Sequence, residues 1–176
     1  MDFKKLFVAA TAASVFLSSA AWADTAPPVF MSPDWAGQLC DAWNHSDDLT
    51  TGLAGGWVHN DGGKGYKTLK VSDSVCTKSA PVELQIAFKD GKAICVYGGA
   101  IKGAAMDYGV DYAMWATTKN WQNMGSPMTA MMFGRLNFQG PKWEAMSNMG
   151  PFGAFLHLVA QVPGSVDYCP PVGQGA

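Results

Sequence analysis

Methionine is the side chain whose type and placement could do chemistry in this protein. Eight of the 10 methionines, Met106, Met114, Met124, Met128, Met131, Met132, Met146 and Met149, fall within one stretch of the chain. A thioether is a soft donor, so Met128, Met131 and Met132 together permit copper(I) binding. It is also unbranched and polarizable, and it suits surfaces that must fit irregular apolar partners. Trp, Phe and Leu fill the gaps between these methionines and charge is sparse. That setting favours the second role, the wall of a pocket for a lipid-like molecule. The competing reading is an ordinary core rich in methionine.

No other reactive side chains assemble into a catalytic pattern. His45, His59 and His157 are scattered, and each reads as a surface or packing residue. Asp47-Asp48 and Asp107/Asp111 lie in turn contexts and read as solvated loop acids rather than an acid–base pair. The Gly-rich stretch Thr50–Gly65 fails as a phosphate loop. Val58 stands where the first Gly belongs, and Gly65 follows Lys64 where Ser or Thr is required. A flexible turn or hairpin is expected there. There is no G-x-S-x-G and no metal triad, so the expectation is a non-enzyme with no resident metal and no cofactor.

Lys4 and Lys5 precede a short apolar run, Leu6–Leu17, too brief to span a bilayer. Ala21-Trp22-Ala23 follows as an A-x-A cleavage site. These residues predict a signal peptide over 1–23, cleaved after Ala23, and a single domain over 24–176 that is periplasmic or secreted. No later run is long enough for an integral membrane span. The formal net charge of −2 comes with no basic cluster, which argues against nucleic acid. Four cysteines, Cys40, Cys76, Cys95 and Cys169, form no C-x-x-C pair, and in an exported chain they predict disulfides. Their number allows three pairings.

The elements that must position these residues follow from caps, turns and periodicity. Ser32-Pro33 is an N-cap followed by Pro at the first helical position, and Trp35, Leu39 and Trp43 recur at helical spacing behind it. Tyr66–Val75 reads as a strand. Val82–Tyr97 reads as a hairpin about Asp90-Gly91. That turn pairs Phe88 with Ala93, Ile86 with Cys95 and Leu84 with Tyr97. If the first helix packs its stripe on the same face, Cys40 meets Cys95 and Cys76 is left for Cys169.

Tyr112–Ala116 reads as a further strand. Thr117 caps a short helix that Gly125 stops, and Ser126-Pro127 caps another that Gly134 ends. Arg135–Gln139 alternates as a last strand. Pro141–Met149 is helical, Gly150-Pro151 interrupts, and Phe152–Val162 is a final apolar helix. The break predicts a hinge about which that helix swings. The sum is an α+β fold: a mainly antiparallel five-stranded sheet with helices packed on one face, enclosing an apolar cavity.

One block carries more than pattern. It reads Pro127-Met128-Thr129-Ala130-Met131-Met132-Phe133-Gly134-Arg135-Leu136-Asn137-Phe138-Gln139-Gly140, with Ala145-Met146 after it and a Lys-Asp-Gly-Lys hairpin tip upstream. This arrangement resembles the sterol carrier protein type-two domain family, and the resemblance extends over Val82–Leu158. It implies a lipid-binding domain with an apolar tunnel between sheet and late helices. Carried onto this chain, it implicates Met114 or Trp115 from the strand and Met128, Met131 and Met132 from the short helix. Met146, Met149, Phe152, Phe155 and Leu156 follow from the last helices. The implied partner is an apolar small molecule of the sterol, fatty acyl, hopanoid or quinone class. The alternative is an accessory or chaperone-like protein that lays the same groove on an apolar segment of a periplasmic partner.

Overall fold

The computed structural model describes residues 26–75, 81–102 and 105–166. The expected leader with its cut after Ala23, and the expected pairing of Cys76 with Cys169, lie outside the described residues. Ser32 opens α1 (Pro33–Asn44) as expected, its Oγ accepting the Trp35 N–H at 3.2 Å, with Pro33 at a position that needs no N–H partner. Two short helices, α2 (Asp47–Thr50) and α3 (Gly56–His59), follow, then strand β1 (Lys67–Asp73). The hairpin β2 (Val82–Lys89) and β3 (Lys92–Ala100) turns at Asp90 and Gly91, with φ of 49° and 78°, the left-handed pair that a two-residue turn requires. Then come β4 (Tyr112–Ala116), α4 (Thr118–Gln122), α5 (Pro127–Met132), β5 (Asn137–Gln139), α6 (Lys142–Ser147) and α7 (Met149–Gln161).

The five strands form one sheet in the order β3-β2-β1-β4-β5. Three pairings are antiparallel and β1–β4 is parallel, so the sheet is mixed. Leu69, Val71, Leu84, Ile86, Ala93, Tyr112 and Met114 point to one face and are buried in a core shared with Trp35, Leu39 and Trp43 of α1 and Phe155, Leu156 and Val159 of α7. The α+β expectation therefore holds, with one parallel pairing added.

The α1 helix covers the edge strand β3. The Asn44 side chain bonds both backbone groups of Cys95, at 2.9 and 2.8 Å, and the Trp43 indole N–H donates to Ala93 O at 2.9 Å. A disulfide joins Cys40 to Cys95. These contacts occupy backbone groups that an edge strand would otherwise leave free to pair with another chain.

Three local expectations are corrected. The hairpin register matches at Phe88–Ala93 and Ile86–Cys95, but a bulge then pairs Gln85 with Tyr97 and Leu84 with Gly98. The extra residue, Val96, moves Tyr97 off the core face and puts a glycine beneath α1. The Gly-rich stretch is not a hairpin. It holds α3, because Trp57 buries its ring against Trp43, Tyr112 and Phe152. The break between the last helices falls at Asn148, not at Gly150-Pro151. Pro151 is tolerated because it lies in the first turn of α7, where backbone N–H groups have no helical acceptor. Buried Phe155, Leu156 and Val159 then make α7 part of the core rather than a free flap.

The bulge yields a test. A Cβ on Gly98 would stand 2.2 Å from Ala36 O and 2.6 Å from Cys40 Cβ, whereas one on Gly37 across the same interface meets only Gly98 O at 3.8 Å. Denaturant melts should show Gly98→Ala losing about 1–3 kcal/mol through overpacking. Gly37→Ala, inside α1, should gain up to about 1 kcal/mol from helix propensity.

Candidate functional site: a methionine-walled groove

The groove begins with a cap. Ser126 Oγ accepts the Thr129 N–H at 3.3 Å and starts α5. Ala130 is the buried anchor of that helix, so Met128, Met131 and Met132 radiate around the anchored side. Gly134, at φ 66°, turns the chain back, and the Arg135 and Leu136 N–H groups both donate to Ala130 O. That reversal delivers Leu136 and then Phe138 of β5 opposite α6. Phe138 pairs with Met114 across β4–β5.

Between these elements lies a groove of about 460 Å³. Its walls are Met128, Met131, Met132, Gly134 and Leu136, then Asn137 and Phe138, then Lys142, Ala145 and Met146, with Met149 at the start of α7. The volume falls within the roughly 300–1,000 Å³ range of small-molecule sites. Beneath it a recess of about 10 Å³ continues inward between Met114, Pro127, Phe152 and Leu156, sharing Met131, Leu136, Phe138, Ala145 and Met149 with the groove.

Five of the expected contact residues, Met128, Met131, Met132, Met146 and Met149, thus line the groove, and Met114, Phe152 and Leu156 line the recess. Two expected residues lie elsewhere. Trp115 follows Met114 on β4 and points to the opposite face of the sheet, since successive strand residues alternate. Phe155 is fully buried against Trp43, their ring centroids 5.7 Å apart. Leu136, Phe138 and Lys142 were not among the expected contacts. The alternation of Leu136 and Phe138 through the last strand was the available signal.

A polar network holds the outer wall in place. Ala145 is the one buried residue of α6. On the inward side of that helix, Glu144 Oε1 accepts from Lys67 Nζ at 2.5 Å and from the Tyr112 hydroxyl at 2.7 Å, and Oε2 accepts from the Asn60 amide. Lys67 has no exposed surface and also donates to Asn60 O at 2.8 Å. The Trp57 indole N–H donates to the Tyr112 oxygen at 3.1 Å. Burial pulls the Lys67 ammonium below the usual lysine range, with the Glu144 carboxylate opposing. Burial, reinforced by Glu144, pushes the Tyr112 hydroxyl above the usual tyrosine range.

A second pair lies beside the first, with Asp111 buried and Lys64 partly exposed. Asp111 accepts from Lys64 Nζ at 2.5 Å and from the Thr68 and Asp107 N–H groups at 2.9 and 3.0 Å. Asp111 is therefore not a solvated loop acid, whereas Asp47, Asp48 and Asp107 are not buried. All the polar partners of Asp111 are structural, so the pair braces the turn before β4.

No protein-family model matches the sequence, and no curated protein matches it. Among solved structures, a conserved hypothetical protein from Thermus thermophilus, put forward as a sterol carrier protein, superposes with a TM-score of 0.50 over 80% of this chain and 94% of that one, at 18% identity. The fold is the sterol carrier type-two fold. Sterol carrier protein 2 aligns at 18% identity and TM-score 0.48, covering 76% of this chain and 98% of that one. A UbiJ-SCP2 ubiquinone synthesis protein aligns at 17% and 0.40, covering 70% and 90%. At such identities the likeness is one of fold.

Within this sterol carrier type-two fold, the groove wall depends on one ion pair. Glu144→Ala leaves the Lys67 charge buried without its partner and should cost about 3–5 kcal/mol in a denaturant melt. The double variant Lys67→Met/Glu144→Leu should recover most of that loss, because no charge is then left buried.

Proposed function

We propose that this chain is an exported lipid-binding protein that carries one apolar ligand of the sterol, fatty acyl, hopanoid or quinone class in the methionine-walled groove. The observation that carries the reading is the groove itself. It is open, of ligand size, and lined by thioethers and aromatic or aliphatic groups, with Lys142 as the single charged residue of its wall. The sterol carrier type-two fold supports the same reading. The Cys40–Cys95 disulfide is compatible with an oxidising compartment, as the expected leader requires.

Met128, Met131, Met132, Met146 and Met149 make the primary contacts in this proposal. Met114, Phe152 and Leu156 form the floor that deepens when flexible methionines rotate aside. Each buried methylene contributes about 0.8 kcal/mol, so about ten supply roughly 8 kcal/mol before the costs of association. Lys142 at the groove orients an amphiphile with its hydroxyl or anionic head outward.

Native mass spectrometry of protein purified from its own host should show a bound apolar mass at one per chain. Met131 borders both groove and recess. Met131→Asp should weaken uptake of a fluorescent acyl ligand about tenfold or more, because the new charge must be desolvated. Undiminished uptake by a folded Met131→Asp variant would remove the groove from the account.

A further inference from the structure

The rim of the groove carries large apolar side chains that a protein operating alone in water has no use for. Met132, Phe133 and Trp143 are 72%, 71% and 79% exposed, and Met128 and Met146 about half exposed. Met128, Met132 and Met146 line the groove. Phe133 sits in the chain between the lining residues Met132 and Gly134, and Trp143 follows Lys142, so both are carried by the elements that border the opening.

The charge on the groove wall itself is cationic, from Lys142. From Tyr112 to Val166 the charged residues are Lys119, Arg135, Lys142 and Glu144. Glu144 is turned inward onto Lys67. The outward charges that this segment itself contributes are therefore cationic, while exposed Asp47 and Asp48 flank Gly150 and Pro151 at the start of α7. Lys119 is exposed, Lys142 lies on the groove wall, and Arg135 reaches Asn123 O at 3.4 Å.

We infer that this rim is a membrane-docking face. Phe133 and Trp143 enter the interfacial region of an anionic bilayer, and Lys119, Arg135 and Lys142 meet its headgroups. An exposed Trp and Phe flanked by cations is the composition of an interfacial anchor. Nearby cations add a salt-sensitive attraction to anionic lipid. The geometry sets the groove mouth against the lipid surface, so a ligand passes between bilayer and groove without crossing water. This last step rests on the proposed carrier function; the docking itself does not.

The full-length mature chain is sedimented with phosphatidylcholine vesicles, with and without phosphatidylglycerol. Binding should require phosphatidylglycerol and fall as salt rises. Phe133→Ser/Trp143→Ser, neither residue lining the groove, should lower vesicle binding about tenfold while acyl-ligand uptake from solution stays unchanged. Vesicles brominated on the acyl chains should quench the tryptophan fluorescence of the wild type, and Trp143→Phe should remove most of that quenching. Unchanged sedimentation of the double variant would overturn the inference. So would quenching that survives Trp143→Phe, or a wild-type dimer that the double variant converts to monomer, which would assign the rim to a second copy. Loss of ligand uptake in Met131→Asp with vesicle binding intact separates failure of the groove from failure of the docking face.

Discussion

A lysine with no exposed surface sits on the apolar face of the central strand β1, and its charge must be answered. Lys67 shares strand parity with Leu69 and Val71, so the pleat that buries those two buries it as well. Glu144 answers it from α6, with the Tyr112 hydroxyl and the Asn60 amide completing the carboxylate's shell. That helix buries little of its own beyond Ala145. The ion pair therefore decides where α6 lies, and α6 is one wall of the groove. A buried pair of this kind adds little net stability, and its better-attested effect is to specify an arrangement. Here the arrangement specified is a helix held beside an apolar opening instead of collapsed over it.

The rest of the molecule is stabilised separately. The α1 stripe, the disulfide and the Asn44 amide fasten the edge strand β3, and the aromatic set of Trp43, Trp57, Tyr112, Phe152 and Phe155 joins α1, α3, β4 and α7. This ring-packed side differs in composition from the groove side, where methionines outnumber rings along the wall and several side chains remain exposed. Rigid aromatics define one packing; unbranched thioethers accept many. The division gives the fold a fixed half and an adaptable half.

Much of this was legible in local chemistry. Ser32, Thr117 and Ser126 cap helices by hydrogen bonds to the N–H groups of Trp35, Asn120 and Thr129, and Asp90-Gly91 sets the hairpin because both residues take positive φ. The methionine-rich, charge-poor stretch was legible too, and Met128, Met131, Met132 and Met146 of α5 and α6 line the groove. What escaped was non-local. Lys67 could be placed on the apolar face by parity, but its burial depends on Glu144, far along the chain and on another element. Trp57 becomes a core residue only because Tyr112 and Phe152 surround it. The bulge at Val96 follows from the need for a glycine beneath α1, which no hairpin rule contains. Gly150-Pro151 looked like a break because Pro ends helices, yet Pro is equally at home in a first turn.

The central claim is that an apolar ligand occupies the space between α5, β5 and α6. Methyl-labelled methionine reports on it directly by nuclear magnetic resonance, because Met128, Met131, Met132, Met146 and Met149 line the groove whereas Met31 and Met124 are buried in the core. Titration with a fatty acyl, sterol or quinone ligand should shift the five groove methyl signals and leave those of Met31 and Met124 in place. Shifts confined to Met31 or Met124, or no methyl shift with any of the three ligand classes, would contradict the account.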